Sequence, residues 1–232
     1  MPDPGDPVRH TGDVVLTSHQ QDAASLRDGR AVVIGRLTPA DAPLVADAFE
    51  RLSAESRRLR FLAPKPALTP AELRYLTEID GHNHEALAAV EPETGRGVAI
   101  ARFVRDPDHP ERAEVAVTVA DDWQGQGLGK LMLSRLADRA RAEHVRRFTA
   151  LVSTDNRGMR TLLNHLDSDA AVNNVGGGIA EYEVELASKG LGRQLEQTLR
   201  AAAAGHFRPP RRLWEILRMV VPLRLRGDHE RR

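Results

Sequence analysis

The alternation of apolar and polar positions changes period abruptly in the middle of the chain. Over 113–120 (AEVAVTVA) Val115, Val117 and Val119 recur every second residue, the spacing of a buried strand. Asp121-Asp122-Trp123 interrupts the run, and Gly125, Gly127 and Gly129 follow. Beyond them Leu128, Leu131, Met132, Leu136 and Ala140 recur at the spacing of a helix that buries one face. A strand, a glycine turn and a long helix are therefore expected over 113–142.

The same criteria order the rest of the chain. A short strand is expected at 31–37 (AVVIGRL). Thr38-Pro39-Ala40-Asp41 then supplies a capping hydroxyl, proline at the first helical position and an early acid. Leu44, Val45, Ala48, Phe49 and Leu52 give that helix its apolar face. A second, basic helix is expected at 53–61. Thr69-Pro70-Ala71-Glu72 opens a third through Leu73, Leu76 and Ile79. Strands at 85–91 and 97–105 flank a turn at 92–95, and a second turn at 106–110 leads into the strand at 113–120. After the long helix come a strand at 147–153, a helix at 156–166, and a hairpin of 170–175 with 179–187 across Gly176-Gly177-Gly178. This order predicts an α+β fold, layered in the α/β manner, with a mixed, mostly antiparallel central sheet and helices on both faces.

The two ends lack that patterning. Residues 1–30 are polar and punctuated by proline and glycine, which predicts a mobile arm, with Val14-Val15-Leu16 as a short apolar run able to dock. The folded domain is then 31–187, and 188–232 is a helical, basic extension. From 206 to 232 eight arginines stand against Glu215, Asp228 and Glu230, interleaved with Leu213, Trp214, Ile216, Leu217, Met219, Val220 and Val221. Three readings compete for 206–226: an interfacial membrane helix, a helix docking on a partner or second subunit, and a helix packing on its own domain. Pro222 disfavours the first.

Composition removes several function classes. Lysine plus arginine equals aspartate plus glutamate at 33 each, so no global field recruits nucleic acid. Cysteine is absent, which excludes disulfides and thiolate zinc sites and suits a reducing cytoplasm. The N-terminal residues lack the apolar core of a secretory signal. Lysine occurs only at Lys65, Lys130 and Lys189, a bias we read as compositional.

The glycine turn is where chemistry is expected. The first turn of a helix has four N–H groups without helical partners and the positive end of the helix dipole. Glycines there let an anion approach the backbone. A Walker A loop is excluded: three residues separate Gly125 from Gly129, and Leu131 follows Lys130 where a hydroxyl is required. A dinucleotide fingerprint fails because position 130 is lysine. Asp80, His82, His84 and Glu85 are residue types that ligate metals, but no third ligand in suitable spacing accompanies the histidines, so no metal is expected and surface or acceptor-site lining is preferred.

What the loop does match is Gln/Arg-x-x-Gly-x-Gly/Ala after a valine-rich strand, through Gln124, Gly127 and Gly129. This resembles the pyrophosphate loop of the GCN5-related N-acetyltransferase (GNAT) superfamily. The element order over about 30–187 is similar to that fold. LSAESRRLRF (52–61) and 81–106 further resemble bacterial GNAT domains of the protein lysine acetyltransferase type. The resemblance implies an acetyl-CoA-dependent N-acetyltransferase. It implies that Val117 and Val119 offer backbone hydrogen bonds to the pantetheine arm and that the loop Gln124, Gly125, Gln126, Gly127, Gly129 and Lys130 holds the pyrophosphate. Asn156 corresponds to the asparagine that contacts the cofactor arm, or else simply caps the next helix.

Transfer to an amine needs the neutral amine, and at pH 7 only on the order of one lysine side chain in a thousand is neutral. A base is therefore expected. Glu114 is the candidate: it shares one face of the strand with the small residues Ala116 and Thr118, opposite Val115, Val117 and Val119. The resemblance to protein-acetylating GNAT domains implies that a glutamate on this strand plays the base. The competing reading pairs Glu114 with Arg102 or Arg112. The family's leaving-group tyrosine falls at Leu163, with His165 the nearest titratable group, and Asp167-Ser168 stands in place of the usual Gly-Phe. Arg57, Arg58 and Arg60 read as a solvated helix face, with capture of an acidic acceptor or of the CoA 3′-phosphate as the alternative. The acceptor is expected to be a protein lysine. A small amine, or a non-catalytic acyl-CoA sensor, are the alternatives.

Overall fold

The computed structural model describes residues 16–18 and 21–186. The expectations for 1–15 and for the extension 188–232, with its docking segment 206–226, lie outside the described residues. In chain order the elements are β1 (Gln21–Ser25), β2 (Ala31–Arg36), α1 (Ala42–Glu50), α2 (Ala54–Phe61), α3 (Pro70–Thr77), β3 (His84–Val90), β4 (Gly97–Arg105), β5 (Arg112–Val119), α4 (Leu128–Ala142), β6 (Arg147–Ser153), α5 (Arg157–Leu166), β7 (Ala171–Gly176) and β8 (Ile179–Glu185). The strands form one sheet in the order β1-β2-β3-β4-β5-β6-β8-β7. Every neighbouring pair is antiparallel except β5 with β6.

Each face of the sheet builds its own core. On one, α4 lays Leu128, Met132, Leu133, Leu136, Ala137 and Ala140 against Ala101, Phe103 and Val115. Burying a leucine or methionine side chain contributes roughly 1.5–3 kcal/mol. The small Ala137 and Ala140 let the helix sit close. On the other face, α1 (Leu44, Val45) and α3 (Leu73, Leu76) cover Ala86, Ala88 and Val90. Strand β3 serves both cores at once, so it reads as a continuous apolar run rather than an alternation.

Helix starts follow their caps. Thr69 accepts from the Glu72 N–H at 3.2 Å while Glu72 accepts from the Thr69 N–H at 2.8 Å, a capping box behind Pro70. Ser53 caps α2, and Asp121 accepts from the Ser53 N–H (2.9 Å) and from the hydroxyls of Ser53 and Ser56 (2.7 Å each). This fastens α2 to the segment that precedes the glycine turn.

The structure adds one strand to the expected set. β1 lies in the stretch for which the pattern predicted only a mobile arm. Its residues QDAAS are nearly all exposed, so no alternation marks it, and what holds it is backbone pairing to β2 from Gln21↔Gly35 to Ser25↔Ala31. Leu16 is also buried, packing with Leu37, Leu44 and Val45.

Candidate active site

Strands β5 and β6 pair only from Arg112↔Arg147 to Glu114↔Thr149. Past that point β5 continues along β4 to Val119, while β6 continues along β8 to Ser153. The strands part at Glu114 and leave a cleft of about 1070 Å³ between them. Val117 and Val119 on β5, Leu151 and Val152 on β6, and one side of α5 line it.

The glycine turn closes one end of this cleft. Gly125 and Gly127 take φ of +75° and +89°, a region costly for residues with a Cβ, and Gly127 is the residue that opens α4. Gly129 is needed for a different reason. A Cβ there would meet Leu162 Cδ1 at 3.1 Å and Val119 Cγ2 at 3.4 Å, so its absence lets α4 approach α5 and β5. Among the described residues no carbonyl accepts from the N–H groups of Gly125 through Lys130, and the first backbone bond across the turn is Leu131 N–H to Gly127 O at 3.0 Å. These unclaimed donors at a helix N-terminus fit a diphosphate.

The expected cofactor residues take distinct places. Val117, Val119, Gln124, Gly125, Gly127, Gly129, Lys130 and Asn156 all line the cleft; Gln126 does not. The Gln124 amide donates to the Val119 carbonyl (3.1 Å) and towards Ser56 Oγ (3.3 Å), which braces the loop between β5 and α2. Asn156 Oδ1 accepts from the Met159 N–H at 2.9 Å, so the capping reading of this residue holds in the structure.

Glu114 stands where this cleft meets a second one, an open groove of about 610 Å³ walled by Arg60, Phe61, Tyr75 and Arg102. The sequence placed Glu114 in a buried strand, and the structure corrects that: it still pairs with Thr149 of β6, but its side chain is exposed because the face it shares with Ala116 opens onto the groove. It pairs with neither expected arginine. Arg112 reaches Glu183 at 3.6 Å, and among the described residues Glu114 forms no hydrogen bond or ion pair. Ala116 beside it is small, as expected, and lines both clefts.

Residues 49–166 match the family described as Acetyltransferase (GNAT) family, about half of the chain. The chain belongs to the GNAT acetyltransferase family. It is 37% identical over 140 residues to Acetyltransferase PA5475 of Pseudomonas aeruginosa, covering 60% of this chain and 75% of that protein. It is 35% identical over 141 residues to Acetyltransferase Pat of Mycolicibacterium smegmatis, covering 61% of this chain but only 42% of that protein's length. The GNAT domain of S. lividans PAT superposes with a TM-score of 0.65 at 28% identity, over 74% of this chain and 99% of that one.

Several residues of this GNAT site were not singled out by sequence. Arg27, in the β1–β2 turn, lines the cleft with its Nε 4.0 Å from where a Gly127 Cβ would stand. Arg30 fixes that turn by covering the Trp123 ring at 4.0 Å. No motif announces either one. The basic helix α2 divides its arginines: Arg57 donates to the Pro66 and Glu50 carbonyls, Arg58 pairs with Glu55 at 2.7 Å, and Arg60 turns inward to both clefts. Leu163 is fully buried, while His165 lines the cleft, its pKa lowered by burial and by the nearby Lys130 charge. The Asp80–Glu85 stretch does not converge. Asp80 accepts from the N–H groups of His82, Asn83 and His84; His82 pairs with Glu143 at 2.7 Å; Glu85 is clamped by Arg36 and Arg139 at 2.6 and 2.8 Å.

His84 carries a pH prediction. Its ring lies 5.3 Å from Tyr75, and its Nε2 is buried without a partner. Burial first, and then the Arg102 charge, push its pKa down to about 4, with Asp80 opposing. Between pH ~6.5 and about 4 the unfolded chain binds a proton here that the folded chain refuses, so stability falls as pH falls through that window. His84→Phe keeps the ring and removes the titration. Chemical unfolding of both proteins at pH 7 and pH 4.5 should show the variant gaining about 2 kcal/mol on the wild type over that interval, a figure already reduced for partial solvent exposure. The His82–Glu143 pair shifts oppositely in both proteins and cancels in the difference.

Proposed function

We propose that this GNAT acetyltransferase transfers the acetyl group of acetyl-CoA to a protein lysine, with Glu114 as general base. The observation that carries the reading is the position of Glu114: a carboxylate with no hydrogen bond or ion pair among the described residues, on the rim shared by the forked-strand cleft and the open groove. The N–H groups around Gly127, with Arg27 and Lys130 beside them, would hold the diphosphate, and the edges of β5 and β6 would take the pantetheine arm. Acetyl-CoA supplies an activated acyl carbon, to which the amine nitrogen bonds as the C–S bond breaks and the thiolate departs. Glu114 takes the proton the amine must lose. The small Ala116 leaves room for the amine on that side. The groove is open and bordered by the 55% exposed Tyr75, which suits a lysine presented on a protein surface better than an enclosed metabolite.

The test is mass spectrometry after incubation of the protein with isotope-labelled acetyl-CoA and a cell lysate. Label on lysine side chains of proteins is the expected result. CoA binding without label on any protein or amine would overturn the enzyme reading, and label confined to small amines would overturn the protein acceptor.

A further inference from the structure

Two guanidinium groups in the groove lack the paired carboxylate that buried arginines ordinarily have. Arg102, on β4, is 7% exposed, and Arg60, at the end of α2, is half-buried. Among the described residues neither forms an ion pair with a carboxylate. Arg102 has the Tyr75 side chain, as hydrogen-bond partner and with its ring at 4.6 Å, and Arg60 has the Phe61 ring at 5.1 Å. Behind both lies an apolar cavity of about 60 Å³ lined by Phe49, Leu52, Leu68, Leu76 and Ile100, which offers no counter-charge. Burial, and then repulsion by Arg102, push the pKa of Arg60 down to about 10.

The other charges of the groove do not balance this pair. Glu72 is committed to Lys65 and to the Thr69 cap, Asp106 accepts from the Asp108 and His109 N–H groups, and Arg105 donates to the His82, Pro110 and Glu143 carbonyls. Glu114 is left facing two arginines, with one positive charge in surplus. The surplus grows when Glu114 accepts a proton. A desolvated guanidinium without a carboxylate is costly, and it is a strong bidentate partner for one that arrives with a ligand.

We infer that the acceptor carries a carboxylate close to its reacting amine, and that Arg60 and Arg102 bind it. The inference rests on the reading that the acceptor enters the groove beside Glu114. The carboxylate has two sources: an acidic residue flanking the lysine of a protein, or the α-carboxylate of a free amino acid.

The experiment compares kcat/KM on two lysine peptides that differ only by Glu or Gln next to the lysine, and on free lysine against lysinamide. The wild-type protein should favour the Glu peptide by about tenfold or more, mainly through KM. Arg60→Gln and Arg102→Gln should collapse that ratio towards one, and Arg60→Lys should recover part of it. Preference for lysine over lysinamide with both peptides inert would keep the arginine clamp and overturn the protein acceptor. Equal rates on all four would overturn the clamp and leave the protein acceptor standing. If no acceptor turns over, glutarate titration decides. Saturable shifts of the Arg60 and Arg102 Nε–H resonances, abolished in the variants, support the clamp, and their absence overturns it. Should Arg102→Gln fold poorly, Arg60→Gln at the helix edge carries the same test.

Discussion

Replacing Glu114 by glutamine is expected to lower kcat by about 10²–10⁴-fold while CoA still binds. The size follows from what is removed. A lysine amine with pKa ~10.4 is almost wholly protonated at pH 7, and without a base the reaction waits for the rare neutral form. Glutamine preserves the shape and polarity of the side chain but cannot accept the proton. Glu114 is exposed and forms no hydrogen bond or ion pair among the described residues, only a Coulomb attraction to Arg60 and Arg102, so its removal should cost the fold no more than about 1 kcal/mol. Loss of turnover is then not loss of structure. Part of the lost rate should return as pH is raised towards 10, where the amine deprotonates unaided. Steady-state rates at pH 7 and pH 9.5, with CoA titration calorimetry alongside, read all of this. Wild-type turnover in Glu114→Gln at pH 7 would remove the base assignment, and a protein that merely senses acyl-CoA would be indifferent to the change.

The reach of the sequence differs between the two clefts, and the reason is physical. The forked-strand cleft is built from backbone: β5, the glycine turn and the start of α4. Backbone conformation leaves marks in sequence, as valines at period two, glycines where φ turns positive, and leucines at helical spacing. β6 is read as 147–153, matching Arg147–Ser153, and α5 begins one residue after the expected 156. The groove is built from side chains on α2, α3, β4 and β5, brought together only by tertiary packing. Arg60 and Arg102 are 42 residues apart (102 − 60) and no periodicity links them. The basic run at 57–60 looked uniformly solvated because sequence cannot tell which arginine of a short helix faces inward. Glu114 falls between the cases. Its identity and the face it shares with Ala116 were legible. Its exposure was not, because it depends on how α2 and α3 pack and leave the groove open over that face. β1 was missed for the plainest reason: an edge strand held by backbone bonds needs no apolar alternation.

Gly127→Glu should cost CoA affinity a factor of at least about 100, which corresponds to roughly 3 kcal/mol. Two effects add. With φ at +89°, any side chain at this position strains the turn by about 1–2 kcal/mol. The new carboxylate would also stand among the N–H groups that await an anion, and it would recruit Arg27, whose Nε is 4.0 Å from the position of its Cβ. Packing does not forbid the substitution, since nothing else lies within 4 Å. Gly127→Ala separates the two effects. It carries the strain without the charge, so it should lower Tm while binding CoA far better than the glutamate variant does. Gly129→Ala makes a different comparison, because its Cβ presses on Leu162 and Val119 and should loosen the contact of α4 with α5 whether or not ligand is present. Calorimetry gives the affinities, and the rise of Tm with added CoA gives them independently, because a ligand that binds only the folded state stabilises it by an amount set by its concentration and Kd. If Gly127→Glu bound CoA as tightly as wild type, the diphosphate would have to be held elsewhere. The thioester would then have no reason to lie beside Glu114.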